Sequence, residues 1–313
     1  MNRLSLPGLE SPFSRIGFGC MRLSLAQEAE WFTQIDAYLR LGGNLFDTAE
    51  VYGNGDSETA LGEYIRRRGD RSDVVIVTKG CVEPRLVRPD YIRGAIERSL
   101  ERLKTDVVDL YLLHRDDPTV PVAELLDVLN EAVKQGKIRA FGGSNWTAAR
   151  LREANLLAAR NGMLGFSVSS PHLALATPRE PWWPSCTHAT KEDMAWYREQ
   201  GMVVLAWSSQ CRGFLGQAEI TDAAYLADLV RVYYTPANLE KRSRLHELAK
   251  RRGVLPSQLA VAYVLAVHAQ TVALVGPVSP AELSSLMEAE QIQLSQSERL
   301  WLEMEGPKPQ SPS

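Results

Sequence analysis

Eight short apolar runs recur along this chain, and each is separated from the next by a longer stretch of helical periodicity. The runs read RIGFG (15–19), GNLFD (43–47), DVVIVTK (73–79), VVDLYLLH (107–114), IRAFGGSN (138–145), GFSVSS (165–170), MVVLAWS (202–208) and TVALVG (271–276). Among the intervening segments, PDYIRGAIERSLERLK places Pro89 in a first helical turn and Ile92, Ile96, Leu100 and Leu103 on one face. PVAELLDVLNEAVKQG likewise opens on Pro121 and stops at Gly136. Apolar strands joined through helices run parallel, and eight such units close most economically into a (β/α)8 TIM barrel. The rival, an open Rossmann sheet, calls for G-x-G-x-x-G after its first strand. Here Gly17 and Gly19 are followed by Arg22 where the third glycine belongs, so the barrel is expected.

One barrel domain over residues 1–306 accounts for the pattern, and the Pro- and Ser-rich residues 307–313 are expected to form a disordered tail. The connections 171–190 and 209–237 exceed ordinary length and follow strands on the side where barrel enzymes build their sites. Both are therefore expected to wall a pocket. A net charge of −3 provides no general attraction to nucleic acid or to an anionic membrane. The longest apolar stretch, LAVAYVLAV (259–267), is too short to span a bilayer and reads as a buried helix. The four cysteines, Cys20, Cys81, Cys186 and Cys211, form no C-x-x-C pair and read as reduced thiols. With no secretory signal at the N-terminus, the expected location is the cytoplasm. Cys186 and His188 have no second ligand pair nearby, so no metal is expected.

The ends of the runs carry the chemistry. Asp47 closes the second and Tyr52 follows it, Lys79 closes the third, and His114 the fourth. Singly, each has a structural reading: Asp47 as a helix cap, Lys79 reaching to solvent, His114 as a satisfied core histidine. Strand ends of a barrel converge on one mouth, however, and there the four make a proton-transfer assembly. A phenol with its ordinary pKa near 10 is a poor acid at neutral pH; a neighbouring ammonium favours the phenolate. A carboxylate keeps the ammonium charged and in place, and an imidazole orients a carbonyl oxygen or relays the proton. Such a group reduces a carbonyl when a hydride donor lies beside it.

FDTAEVYG with Glu58, Leu61 and Gly62, then VVIVTKG, VVDLYLLH and GKIRAFGGSNW, resemble the signatures of the aldo-keto reductases, in order, from about Ile16 to Leu286. The resemblance implies a (β/α)8 barrel oxidoreductase that uses NAD(H) or NADP(H), with Asp47, Tyr52, Lys79 and His114 as its catalytic tetrad. It also implies cofactor contacts. Ser144 and Asn145 would bind the nicotinamide carboxamide, and Ser170 stands where a glutamine is common. Trp207 would stack on the nicotinamide or serve as a rim hydrophobe, and the loop from Ser208 to Gly216, with Gly213 and Leu215, would cover the pyrophosphate. After the eighth strand, Gly276, Ser279 and Glu282 occupy the adenosine end. Glu282 stands where NADP-using members place an arginine, which slightly favours NAD(H). Its other reading is an acid at a helix N-terminus, with Arg212 or Lys241 left to hold a phosphate.

The substrate is expected to be a small carbonyl compound or alcohol. Trp182 and Trp183, stiffened by Pro181 and Pro184, either touch it or form a lid, and Trp31 is a further wall candidate. The alternative to an enzyme is a cofactor-sensing or regulatory subunit that keeps the fold with little turnover.

Overall fold

A computed structural model describes residues 2–216 and 221–309 of the chain. Two short antiparallel strands, β1 (Arg3–Leu4) and β2 (Phe13–Ser14), precede the barrel. Then come β3 (Ile16–Gly19), α1 (Glu28–Arg40), β4 (Leu45–Asp47), α2 (Asp56–Arg68), β5 (Val75–Gly80) and α3 (Pro89–Leu103). The next elements are β6 (Val108–Leu113), α4 (Val122–Lys134), β7 (Ile138–Ser144), α5 (Ala148–Arg160), β8 (Val168–Ser170) and α6 (Lys191–Glu199). The order ends with β9 (Val203–Ala206), α7 (Ala223–Tyr233), α8 (Pro236–Arg252), α9 (Pro256–Val267), β10 (Thr271–Val275), α10 (Pro280–Met287) and α11 (Gln296–Leu302). Strands β3 to β10 pair in sequence, all in parallel, and β10 closes on β3. All eight expected strands are thus present, in the expected closed barrel.

Two hydrophobic layers hold it. One lies between strands and helices and contains Phe18, Phe46, Ile76, Tyr111 and Phe141. The other fills the barrel interior with Leu45, Val75, Val77, Leu110, Leu112, Val168 and Leu205. Side chains alternate along a strand, so each inward row continues two residues further toward the C-terminal mouth. From Leu45 that row reaches Asp47; from Val75 and Val77 it reaches Lys79; from Leu110 and Leu112 it reaches His114. The same parity carries Ser144, Ser170 and Trp207 to the mouth. At the opposite end Leu6 and Phe13 join the interior layer, so the N-terminal hairpin plugs the barrel floor. That hairpin is absent from the sequence expectation, because two-residue strands carry no periodicity.

Of the expected disordered tail, residues 307–309 lie against α8: Pro309 accepts a hydrogen bond from Arg251 (3.1 Å), and Lys308 pairs with Glu247. Residues 310–313 of that tail lie outside the described residues. No helix among the described residues is long and apolar enough to cross a membrane.

Candidate active site

At the C-terminal mouth a cavity of about 470 Å³ opens between the two long connections. Its floor is the expected tetrad. The Lys79 ammonium, almost wholly buried, lies 2.7 Å from an Asp47 carboxylate oxygen. It also donates to the Thr48 carbonyl (2.9 Å) and, at 3.5 Å, to the Tyr52 hydroxyl. The contact with Asp47 is an ion pair rather than a well-aligned hydrogen bond. Asp47 does not cap a helix; α2 begins after Gly55, which has no side-chain cap. Tyr52 is aimed by an unusual turn: Gly53, Asn54 and Gly55 all take positive φ (57°, 55° and 93°). Glycine and asparagine are the residues that tolerate this, which explains G-N-G directly after the tyrosine. The Tyr52 ring meets the edge of His114 at 6.0 Å between centroids.

Electrostatics divide the roles. Burial pushes the Tyr52 phenol above its ordinary pKa, while Lys79 draws it back down and Asp47 adds to the rise. The net lowering expected from the ammonium alone is therefore not present; desolvation is the larger effect. Burial also pushes Lys79 down, but Asp47 and Tyr52 outweigh it and its pKa ends above the ordinary lysine value. Asp47 is raised by burial, against the pull of Lys79. His114 is held well below the usual histidine range by burial first, then by Lys79 and Arg115. The arrangement sets one cation beside the phenol and keeps the imidazole neutral.

The remaining expected residues divide in two. Ser144, Asn145, Trp207, Ser208, Gly213, Gly276 and Glu282 line the cavity. Ser144 donates to the Ser170 carbonyl (3.1 Å), and Asn145 donates to the His114 carbonyl (3.2 Å) and the Ser144 hydroxyl (3.0 Å). Ser170, Leu215 and Ser279 do not line it. The Ser170 hydroxyl is spent on the Leu205 carbonyl (2.9 Å), Leu215 is fully buried, and Ser279 caps α10. Trp31 is also misplaced by the sequence expectation: it lies in the strand–helix layer, edge-on to Phe18 at 6.5 Å, because α1 turns it outside the barrel. Trp183 lines the cavity, whereas Trp182 packs on Tyr225 and Tyr233 and faces a neighbouring cavity of about 180 Å³. Arg212, the first phosphate candidate, lines the cavity and lies over three rings, those of Trp182 (4.5 Å), Trp183 (4.9 Å) and Tyr225 (5.6 Å). The second phosphate candidate, Lys241, does not line the cavity and donates to the Leu175 carbonyl (3.2 Å).

Lining residues outside the sequence expectation include Arg22, Arg115, Cys186 and Tyr225. Arg22 stood out only as a failed glycine; it donates to the Gly276 carbonyl (2.7 Å) and ties the loop after β3 to the loop after β10. Arg115 directly follows His114, a position that signals a second polar group at the same strand end. Among the described residues, no three His, Cys, Asp or Glu side chains cluster as metal ligands.

A model of the Aldo/keto reductase family matches residues 15–300. The chain belongs to that family. Relatives include the aldo-keto reductase str7 of Strobilurus tenacellus, 28% identical over 92% of this chain and 88% of its own length. A Schizosaccharomyces pombe protein named "Putative voltage-gated potassium channel subunit beta" is 30% identical over 72% of this chain and 68% of its own. Among solved structures, the thermostable aldo-keto reductase Tm1743 with the inhibitor epalrestat superposes with a TM-score of 0.76 at 25% identity, covering 98% of this chain and all of the other. An aldo/keto reductase from Klebsiella pneumoniae in complex with NADP and acetate gives 0.73 at 25% identity, covering 95% of this chain and 94% of that one. For this aldo/keto reductase family member, an oxidoreductase assignment thus rests on sequence and fold together.

Proposed function

We propose that this protein interconverts a carbonyl compound and the corresponding alcohol with a nicotinamide dinucleotide, Tyr52 serving as the general acid and base. The observation that carries the reading is the phenol of Tyr52 sharing one buried ammonium with Asp47, next to an imidazole kept neutral. The rim suits a dinucleotide. The indole N–H of Trp207 is buried with no partner among the described residues, and Asn145, Ser208 and Arg212 hold positive φ (60°, 54° and 56°) at the cavity edge. Backbone strain of this kind collects where a ligand is clamped. When bound, the nicotinamide supplies or accepts the hydride. His114 hydrogen-bonds the substrate oxygen, Tyr52 gives its proton to that oxygen, and Lys79 stabilises the phenolate left behind. Asp47 keeps the ammonium charged throughout.

The test is Tyr52→Phe, which keeps the ring and removes the proton. Dinucleotide binding, read by tryptophan quenching, should persist, while kcat against a panel of aldehydes and ketones falls at least about a hundredfold. Turnover close to wild type would remove Tyr52 from the mechanism. A second reading, a regulatory subunit with little turnover, is favoured by the resemblance to the fission-yeast protein. Saturable dinucleotide binding with no oxidation of NADH or NADPH by any panel member would favour it.

For the dinucleotide, we take NAD(H) as preferred. Glu282 lines the cavity, accepts the Val278 backbone N–H (2.7 Å) and still offers a carboxylate to a ribose hydroxyl. Arg22, a cation that lines the same cavity, donates to the carbonyls of Gly276 (2.7 Å) and Pro277 (3.5 Å). At about 5 Å, a carboxylate repels a phosphate by on the order of 1–3 kcal/mol per charge. Glu282→Gln should therefore raise affinity for NADPH relative to NADH by about tenfold. An unchanged ratio of dissociation constants at low salt would place the 2′-phosphate away from Glu282.

A further inference from the structure

Next in sequence to His114 stands a cation that the proposed reaction leaves without a substrate contact. Arg115 is only 6% exposed and lines the active-site cavity. A guanidinium has five N–H donors. Here Nη1 donates to the His114 carbonyl (2.8 Å) and Nε reaches the Pro184 carbonyl (3.4 Å), both neutral acceptors. Among the described residues no carboxylate pairs with it, and Nη2 has no partner. Neither acid that lines the cavity pairs with it: Asp47 pairs with Lys79, and Glu282 accepts the Val278 N–H. Of the other arginines that line the cavity, Arg22 also meets only carbonyls, those of Gly276 and Pro277, but is exposed to solvent, and Arg212 lies against the rings of Trp182 and Trp183. An uncompensated buried guanidinium is costly to keep. Its planar fork matches a carboxylate far better than it matches a single carbonyl.

We infer that the substrate is a carbonyl compound that also bears a carboxylate, and that Arg115 binds that carboxylate while the carbonyl oxygen lies between Tyr52 and His114. This rests on the proposed reaction at the same site. Trp183 and Cys186 complete the wall beside Arg115 and suit a flat, partly apolar body joining the two groups. Arg115 is a specificity-determining residue here, since it touches the part of the substrate that does not react. Its charge has a second effect at the reacting end: with Lys79 it helps keep His114 neutral.

Two measurements test the inference. The first compares kcat/KM for 3- and 4-carboxybenzaldehyde with that for 3- and 4-formylbenzamide, planar analogues of equal size that lack the charge. Wild type should prefer at least one acid over its amide by tenfold or more. In Arg115→Gln this ratio should fall at least fivefold, mainly through KM, and Arg115→Lys should restore part of it. Using the ratio cancels damage common to both substrates. If the glutamine variant does not fold, because the Pro184 contact is lost, the lysine variant still reads the ratio, which should drop with the fork. The second measurement needs no turnover: calorimetric titration of benzoate and benzamide into the protein, with and without saturating NAD. Benzoate should bind more tightly, and Arg115→Gln should reduce that advantage at least fivefold. If no aldehyde is reduced with either dinucleotide but the benzoate advantage depends on Arg115, the reaction fails and the anion site stands. Equal binding of benzoate and benzamide, no binding of either, or a ratio changed less than fivefold by the glutamine variant overturns the inference.

Discussion

Lys79 holds three partners with one ammonium, and its charge is the influence that opposes the burial-driven rise of the Tyr52 phenol. Its removal has a definite sign. In Lys79→Met the phenol pKa moves further up, because desolvation and Asp47 now act unopposed. Carbonyl reduction needs the protonated phenol, so its alkaline limb should shift to higher pH. Alcohol oxidation needs the phenolate, so its acidic limb should shift up as well, with kcat lower by about a hundredfold or more in both directions. Profiles of kcat/KM against pH in both directions check this; limbs that stay in place would mean that Lys79 does not tune Tyr52. The four residues of this assembly were all legible in the sequence, since each ends or follows a strand and the inward parity of a barrel strand is regular. The net rise of the phenol was not legible, because burial depends on what the two long connections lay over the mouth.

At the scale of elements, the pair α2 and α3 supports the floor of the site from behind. Glu58 of α2 is fully buried, accepts from Thr78 next to Lys79 and pairs with Arg102 of α3 (3.2 Å). The helices approach this closely only because residue 62 is glycine: a Cβ there would stand 2.4 Å from the Arg102 carbonyl oxygen and 2.6 Å from the Leu103 carbonyl carbon. Those are backbone atoms and cannot swing aside. Gly62→Ala should therefore destabilise the fold by on the order of 1–3 kcal/mol, the scale of overpacking. Urea unfolding of the variant measures it, and a midpoint equal to wild type would show that the helices part without cost. The sequence marked Gly62 as part of a motif; the reason for it is a contact between two helices.

For the whole molecule, buried histidines contribute to the loss of stability in acid. His172 is 3% exposed, bonds the Tyr233 hydroxyl at 2.9 Å and stands edge-on to Trp207 at 5.0 Å. Burial first, with a smaller push from His188, lowers its pKa from 6.5 to about 3. His114 and His268 are lowered too, each chiefly by burial. A group depressed on folding contributes full stability above its unfolded pKa and loses it as pH falls toward the folded one. The loss from His172 should begin near pH 6.5 and continue toward pH 3, reaching about 1.4 kcal/mol one pH unit below its unfolded pKa. Unfolding free energies at pH 7.5 and 5.5 for wild type and His172→Gln check this: the variant's slope should be shallower. Parallel pH dependence would show that His172 protonates in the fold without penalty.

The order of apolar runs and helical segments, with the polar residue that closes each run, was enough to determine a closed barrel and to collect Asp47, Tyr52, Lys79 and His114 at one mouth. Strand parity and short connections are local properties, so they survive the reading from one dimension. Where local pattern ended, tertiary packing decided. The sequence left Trp31, Trp182 and Trp183 equivalent as wall candidates; helix rotation sent the first into the strand–helix layer, and the fold of one loop turned the second away from the cavity and the third toward it. Ser170 and Ser279 had the right chemistry, but their hydroxyls were already bonded to backbone groups. Arg115, by contrast, followed His114 in plain view. Only the folded chain shows that no described carboxylate comes to meet it, because pairing between residues distant in sequence is set by the packed whole.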